Sequence, residues 1–250
     1  MTLSPRIAIA LQGELPKATM KLQKETNEAA GPAHGRWYHD ACGAAFALEL
    51  IGERWSLLVI RELMLGGRRF SDLRAHLPGI SAKVLTQRLE GLESAGVLTR
   101  RKLPPPAATQ IYELTDWGYE AEPILQELGR WAARSPLHDP TLPLSPMSLM
   151  MSLRTMFDAD QAGELILDAG FDVAGELFHA RVERRALVIR RTEVLDAAIS
   201  FIAPDASALA GLIYGLMPVE AAADNGIAIQ GEATAVRRFL DLFELPARSG

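Results

Sequence analysis

Residues 70–114 read FSDLRAHLPGISAKVLTQRLEGLESAGVLTRRKLPPPAATQIYEL, and this stretch decides the fold that the sequence predicts. Ser71 is a candidate N-cap for a short first helix, which the proline and glycine at 78–79 end after about two turns. Ser81 can cap a second, longer helix that ends at Gly96, because glycine suits the left-handed residue after a helix. The pattern therefore predicts two helices separated by a tight turn.

The second of these helices has one apolar and one polar face. Leu85, Leu89 and Leu92 recur at i, i+4 and i+7, which places one face in a core. Side chains on the opposite face point outward because successive residues are 100° apart around the axis. These outward residues are Lys83, Thr86, Gln87 and Glu90.

After the second helix, residues 97–102 and 110–114 have the composition of two strands, joined by a loop that contains three prolines. Helix, turn, helix and ribbon together are the pattern of a winged helix-turn-helix. A helix that enters the DNA major groove needs side chains that hydrogen-bond to base edges, and Lys83, Thr86 and Gln87 can do so. Glu90 suits the approach to phosphate less well.

Basic residues flank this pattern where DNA phosphates would lie. Arg100, Arg101 and Lys102 lead into the predicted wing, and Arg68 and Arg69 come just before the first helix. Each cation taken singly could equally be a solvated surface charge. The ordered set as a whole favours a DNA-binding surface.

Composition and charge limit the class of protein. The chain has 250 residues, is 48% hydrophobic and 23% charged, and carries a net charge of −5. Lys and Arg exceed Asp and Glu by one in residues 36–134, whereas residues 147–250 have an excess of six acidic residues. We therefore expect DNA contact only in the first half. With a weak N-terminal apolar run, a single cysteine and no apolar run near 18 residues, we expect a cytoplasmic protein without membrane contact.

We predict four segments in an α+β chain. Residues 1–36 lack a sustained period and form a flexible N-terminal extension. Residues 37–134 form the winged helix-turn-helix domain for DNA binding and dimerisation. Residues 135–146 contain four prolines and form a stiff linker. Residues 147–246 form a second domain.

A homodimer is expected from apolar residues that exceed the needs of one small core. Residues 46–65 are so rich in leucine, isoleucine, phenylalanine and tryptophan that helices there must be buried on most of their surface. A helix over residues 116–133, capped by Thr115 and kinked or split at Pro123, could supply the other half of a dimer interface. The alternative is that these helices complete a monomeric core.

Specific motifs give the first domain a family resemblance. They are IGERW at 51–55, LLVIREL at 57–63, RRFSDL at 68–73, GIS at 79–81, LTQRL at 85–89 and YELT at 112–115. With these motifs, residues 38–134 resemble the HxlR-type family of winged-helix bacterial transcription regulators, which implies a DNA-binding homodimer with residues 81–95 as recognition helix and residues 100–114 as wing. By that resemblance Ser81, Lys83, Thr86, Gln87 and Arg88 contact the groove and phosphates, with Arg100 and Arg101 on the wing.

Cys42 departs from the family pattern, in which a cysteine near the first helix is usually followed by proline. Gly43 follows here. A thiol at a helix N-terminus has a lowered pKa, and His39 could lower it further, so a redox role is reasonable. The favoured alternative is a small residue packed at the dimer seam. Without a second cysteine, any disulfide would have to join two subunits or a small thiol.

The second domain is predicted to open with a helix at 147–157, followed by four strands. The strands are expected at 164–167, 177–182, 186–191 and 197–203, where Phe178, Ala180 and Val182 alternate with polar residues. Asp205 caps a helix, a fifth strand covers 226–231, and a helix covers 232–243. The result is a five-stranded, mostly antiparallel sheet covered by helices.

This order of elements resembles the sterol-carrier-protein-type lipid-binding fold, chiefly through AISFIAPDASALAGLIYG at 198–215 and IAIQGEATAVRRFLDLF at 227–243. The resemblance implies an apolar tunnel that takes a hydrophobic small molecule, in which flexible methionines would suit the ligand. The alternative is that the same residues are plain core packing. The candidate lining is Met150, Met151, Leu153, Met156, Phe157, Leu209, Ile213, Leu216 and Met217.

The sequence predicts no enzyme, metal or cofactor. Its five histidines and single cysteine have no metal-ligand spacing, and nucleotide-binding glycine motifs and a GxSxG motif are absent. Two hypotheses remain. The first is a homodimeric regulator of transcription, usually a repressor, that binds double-stranded DNA and responds to a hydrophobic ligand. The second is a hydrophobic-metabolite binding protein whose winged helix serves protein interaction or dimerisation.

Overall fold

The structure is a computed structural model that describes residues 38–249, so the predicted flexible extension lies outside the described residues. The helices are α1 Gly43–Ile51, α2 Ser56–Leu63, α3 Phe70–His76, α4 Ala82–Ser94, α5 Asp116–Tyr119, α6 Glu122–Ala133, α7 Pro146–Met156, α8 Ala159–Ala162, α9 Ala206–Ile213 and α10 Ala233–Leu240. The strands are β1 Leu98–Lys102, β2 Gln110–Leu114, β3 Leu167–Val173, β4 Glu176–Glu183, β5 Ala186–Arg191, β6 Ile199–Ala203 and β7 Ala228–Gln230.

The predicted turn between two helices is present as α3 and α4. The Ser81 hydroxyl accepts a hydrogen bond from the Val84 N–H at 3.2 Å and so caps α4. Gly96, with φ of +73°, follows that helix in the left-handed conformation that the sequence predicted. Leu85 and Leu89 are buried on the inner face of α4, as expected.

The predicted cap of the first helix was wrong. The structure begins α3 at Phe70 and makes Arg69 its N-cap, so Ser71 lies inside the first turn and bonds to the neighbouring carboxylate of Asp72. The physical reason is a backbone pairing just before the helix. Arg68 exchanges two backbone hydrogen bonds with Tyr112, at 2.9 and 2.8 Å, which keeps the chain extended up to that point.

The wing is an antiparallel pair of strands, β1 and β2, which runs from the Leu98–Leu114 pair to the Lys102–Gln110 pair. Thr115 then caps α5 by accepting from the Gly118 N–H at 3.0 Å. The helix predicted over residues 116–133 is split into α5 and α6, because Pro123 falls in the first turn of α6 where a missing N–H is tolerated.

Burial differs between the first two helices. Helix α2 is buried at Val59, Ile60 and Leu63, as expected. Helix α1 is mostly exposed within this single chain, with Phe46 46% and Leu48 56% exposed. The expected burial therefore holds for α2 within one chain, and for α1 the expected cover by a second copy stays a prediction.

The second domain is a five-stranded sheet in the order β5-β4-β3-β6-β7. The β3–β6 pair is parallel and the other three pairs are antiparallel, so the sheet is mostly antiparallel, as predicted. The first strand was misplaced at 164–167 and lies at Leu167–Val173. Glycine and aspartate weaken its strand signal, and a Cβ at Gly170 would come 2.9 Å from Leu195 Cδ1, so that this leucine side chain would have to shift.

One face of this sheet carries the core of the second domain. Phe178, Ala180 and Val182 are fully buried, in agreement with the predicted alternation. The rings of Phe171 and Phe201 stack with centroids 5.5 Å apart, and Phe239 of α10 packs on both, at 5.9 and 5.8 Å. Helices α7, α9 and α10 supply the rest of this core.

Helix α7 belongs to both cores. Met147 and Met151 pack into the core of the winged helix, whereas Leu149, Met150 and Leu153 pack into that of the second domain. The predicted boundary at residue 147 therefore falls at the start of a helix that joins two packed units. Among the described residues, no helix is long and apolar enough to cross a membrane.

Candidate nucleic-acid interface

The outward face of α4 is exposed over its whole length. Lys83, Thr86, Gln87 and Glu90 are all exposed, opposite the buried leucines. Ser81 is exposed too, and because its oxygen accepts the capping hydrogen bond, its hydroxyl proton is left to donate. The structure thus brings four of the five predicted recognition-helix residues, all but Arg88, onto one open surface with donors and acceptors.

Arg88 lies at the edge of this surface. Its side chain is partly buried, and its Nη1 atom lies 3.3 Å from Glu53 Oε2 in the turn between α1 and α2. A guanidinium held in this way is restricted in direction. Arg88 therefore lies at the edge of the open face, and its contact with DNA stays a prediction.

The wing cations form exposed ion pairs. Arg100 Nε donates to Glu93 Oε2 at 2.7 Å, and this hydrogen bond lowers the pKa of Glu93 and raises that of Arg100. Arg101 Nε donates to Glu113 Oε2 at 2.9 Å. Lys102 is exposed at the end of β1. Since exposed pairs contribute little to stability, phosphate oxygens can replace these carboxylates at small cost.

The two adjacent arginines before α3 differ in exposure and in their partners. Arg69 is exposed, whereas the Arg68 side chain is 13% exposed and its guanidinium pairs with Glu176 of β4. The structure contradicts the prediction of Arg68 as a phosphate contact, because this side chain is largely buried and its Nη2 donates to Glu176 of the second domain. We remove Arg68 from the candidate DNA-contacting residues and retain Arg69.

An ionic cluster between the two units surrounds that pair, and sequence reasoning missed it. Glu176 accepts hydrogen bonds from Arg68 and from Arg191 of β5, and His76 Nε2 of α3 lies 3.0 Å from its Oε1. His76 Nδ1 lies 3.7 Å from Oε2 of Glu62, which is fully buried in α2. These residues lie far apart in the chain, so no local pattern could have found the cluster.

Burial alone would raise the pKa of Glu176. The hydrogen bonds from His76 and Arg191, with the charges of Arg191 and Arg68, outweigh burial and lower that pKa to about 2. Desolvation and the charge of Arg68 lower the pKa of Arg191. The cluster thus holds Glu176 as an ion between the helix-turn-helix and the second sheet.

Cys42 is exposed at the N-cap position of α1. Hydrogen bonds from the backbone of Ala45 and Ala44 lower the pKa of its thiol. His39 precedes it and is exposed. The geometry matches the expected position of the cysteine, and its role as a redox or packing thiol stays a prediction.

The predicted ligand-pocket residues do not gather around one opening. Met150, Leu153, Leu209 and Ile213 lie in the packed core of the second domain, whereas Leu216 is exposed. Phe157 and Met217 pack partly buried against that core. Met151 and Met156 line an apolar groove of about 400 Å³ between α2, α6 and α7. For the first four of these residues, the structure agrees with the alternative of core packing.

Two helices joined by a tight turn, an exposed polar helix face and a basic ribbon define a helix-turn-helix DNA-binding protein. Comparison with known proteins gives the family. Residues 50–138 match the family described as HxlR-like helix-turn-helix, and the chain belongs to it. The chain is 40% identical over 86 residues to the uncharacterized HTH-type transcriptional regulator YvaP of Bacillus subtilis, a match that covers 34% of this chain and 80% of YvaP.

A second relative is the HTH-type transcriptional regulator YodB of Bacillus subtilis, 38% identical over 86 residues, which are 34% of this chain and 77% of YodB. A solved structure of the reduced form of YodB is similar at 34% identity and a TM-score of 0.36, and the match covers 40% of this chain and all of that one. The relatives are transcriptional regulators, so this chain is a DNA-binding regulator. These matches cover about the first domain alone.

Proposed function

We propose that this regulator acts as a homodimer that reads a two-fold symmetric DNA site through the outward face of α4 and represses transcription from it. The observation that carries the proposal is the exposed row of Lys83, Thr86 and Gln87 on a helix whose other face is fixed in the core. Side chains held on a rigid element keep their direction, as base readout requires. The wing cations Arg100, Arg101 and Lys102, with Arg69, add phosphate contacts.

Exposed apolar side chains support the dimer. Phe46 and Leu48 of α1 are about half exposed, and on α6 Ile124 and Leu128 are nearly so, while Trp131 is 75% exposed. A monomer that left these side chains in water would lose the stabilisation from burying them, about 25 cal/mol per Å². A second copy that covers both helices would place two recognition helices on one DNA face.

The second domain is proposed to control DNA binding through a hydrophobic ligand. Its five-stranded sheet, with helices over one face, supports the resemblance to the sterol-carrier-protein type. Control requires that the ligand bind the DNA-competent and incompetent forms with different affinity. A 100-fold change in affinity for the DNA site needs a difference of about 2.7 kcal/mol.

The test of DNA reading is selection from a pool of random duplexes across a salt series, first with the parent protein and then with two variants. Gln87→Ala should relax base preference at one position and weaken the free energy of binding to the preferred site by about 1–3 kcal/mol. Arg101→Ala should weaken binding to all sequences and reduce the salt slope by about one. Arg238→Ala, at an exposed arginine of α10, is the matched control and should leave the base preference and the salt slope unchanged.

Two outcomes would contradict the proposal. If neither Gln87→Ala nor Arg101→Ala changes binding, the assigned surface does not contact DNA. If the parent enriches no sequence and its weak binding vanishes near physiological salt, the alternative of a hydrophobic-metabolite binding protein gains support. A site enriched without two-fold symmetry would argue against the dimer.

A further inference from the structure

A cavity of about 410 Å³ lies between the helix-turn-helix and the second domain. Leu58 of α2 with His76 and Leu77 at the end of α3 line one side. Leu144, just before α7, and Glu176 of β4 line the other. Its volume falls within the roughly 300–1,000 Å³ of small-molecule sites, which occur preferentially at domain interfaces.

The walls of this cavity are apolar and one end is polar. Trp55, Leu58, Leu77 and Leu144 supply flat or branched apolar surface. At the polar end, the ionised carboxylate of Glu176 is a hydrogen-bond acceptor only. An occupant can therefore bury an apolar body and donate a hydrogen bond to Glu176.

Hydroxyl groups extend the polar end. The Ser145 hydroxyl donates to Glu62 Oε1 at 2.7 Å, and Ser148 Oγ lies 2.9 Å from Ser145 Oγ. Both serines line the cavity. They add hydrogen-bonding capacity without adding charge.

The fixed charges around the cavity balance. Arg61 lines the cavity and pairs with Glu62 at 2.9 Å. The other charged groups at or beside it, His76 aside, are the carboxylates of Glu176 and Asp205 and the guanidiniums of Arg68 and Arg191. Three carboxylates thus face three guanidiniums. A charged ligand would be desolvated here without a matching counter-charge, which is costly.

We infer that this interdomain cavity binds a small, uncharged aromatic molecule that carries one hydrogen-bond donor, of the class of indole or a phenol. The ring lies against Trp55, Leu58 and Leu144, and its N–H or O–H donates to Glu176. The site is separate from the methionine-rich lining predicted inside the second domain.

This inference names the ligand class and the place of control, and its regulatory part rests on the proposed function. The occupant touches the end of α3, the helix that packs beside the recognition helix α4 in the helix-turn-helix. It also touches Glu176, which ties α3 to the second sheet through His76 and Arg68. Because coupling is reciprocal, a ligand that changes DNA affinity must bind the DNA complex with affinity changed by the same factor.

The first experiment is calorimetric titration of the full chain without DNA, with indole, 1-methylindole, benzoate and benzylamine as probes. Indole should bind saturably at one site per chain. 1-Methylindole keeps the ring but lacks the donor, and should bind about 10-fold or more weaker, as expected for loss of a hydrogen bond to a charged group. Tighter binding of benzoate or benzylamine than of indole would overturn the assigned class.

Two variants locate the site. Ala75→Trp places a larger side chain in the cavity lining from an exposed position of α3 that does not line the groove between α2, α6 and α7, and should abolish indole binding. Leu142→Trp introduces a tryptophan at an exposed linker position outside the cavity lining and should bind indole as the parent does. Absence of indole binding by the parent, or equal binding by both variants, would overturn the site.

The last measurement is DNA affinity of the parent and of Ala75→Trp with and without saturating indole. The parent should shift by at least about fivefold, the lower range of measured couplings, and the variant should not. Indole binding without a shift in DNA affinity would overturn the regulatory part alone. Since the titration needs no DNA, failure of the site and failure of the proposed DNA binding are distinguishable.

Discussion

The winged helix and the second domain differ in how completely they bury their apolar side chains. The second domain buries Phe171, Phe201 and Phe239 completely between its sheet and α10. The winged helix leaves Leu48 of α1 56% exposed and Trp131 of α6 75% exposed. One sequence therefore contains a domain whose core closes on itself and another that leaves apolar side chains exposed, which the proposed dimer would cover.

The winged helix and the second domain therefore depend on different contacts for their stability. The buried phenylalanine cluster is stabilised by contacts within the chain, so its stability is independent of protein concentration. An exposed tryptophan contributes only after association, so its effect depends on concentration. Five substitutions, in four experiments, test this contrast in order of decreasing expected effect.

Phe239→Ala should have the largest effect. It leaves a cavity against Phe171 and Phe201, and we expect the free energy of unfolding to fall by about 3–5 kcal/mol. Urea denaturation at several protein concentrations measures it. The loss should be the same at each concentration if the second core is self-contained. A loss that grows on dilution would show that this core also depends on association.

Glu176→Gln should change the response to acid. The pKa of Glu176 is lowered from 4.5 to about 2 in the folded chain, so its ionisation stabilises the fold fully above pH 4.5. That contribution, up to about 3 kcal/mol, is lost as pH falls from 4.5 towards 2. The variant should be less stable at neutral pH and show a flatter decline over this window. Glu244→Gln, at an exposed glutamate, is the control and should decline as the parent does.

Trp131→Ser should act on assembly. We expect the dimer dissociation constant to rise roughly 30-fold, about 2 kcal/mol, as for an interface residue that dominates binding. Sedimentation equilibrium measures it. Leu216→Ser removes another exposed apolar side chain, in the second domain, and should leave the constant unchanged. A parent that sediments as a monomer at every concentration would remove the basis of the contrast.

Arg69→Ala and Arg68→Ala should have the smallest and most specific effects. Arg69 is exposed, so its loss should lower affinity for all DNA sequences and reduce the salt slope by about one, with little change in unfolding. Arg68 pairs with Glu176, so its loss should destabilise the fold. Binding measured across a salt series, beside urea denaturation, separates the two. Equal salt slopes for both variants would contradict the removal of Arg68 from the DNA surface.

Local patterns in the sequence predicted much of the helix-turn-helix. The cap at Ser81, the leucine face of α4 and the left-handed Gly96 depend on residues within a few positions of each other, so the sequence contains the whole interaction. Errors arose where a partner lies elsewhere. Ser71 has the composition of a cap, yet the pairing of Arg68 with Tyr112 decided where α3 begins. Strand β3 was misplaced because its glycine and aspartates weaken the local signal, whereas its pairing with β4 and β6 involves residues elsewhere in the chain.

In the candidate site, too, nearby residues predicted some features and distant residues decided others. The exposure of Lys83, Thr86 and Gln87 followed from helical periodicity, because the leucines opposite them must be buried. Arg68 and Arg69 cannot be distinguished by sequence, since both are cations in the same short segment. Only the position of Glu176, more than 100 residues away, separates them.

The sequence by itself determined the helix-turn-helix, its outward polar face and its family, because capping, periodicity and short turns act between neighbours in the chain. The tertiary structure alone decided that α7 serves two cores and that Glu176, His76 and Arg191 meet at one interface. It also decided that a cavity remains between the two units. Such contacts depend on how separately folded segments pack, and burial then fixes which charges must be paired.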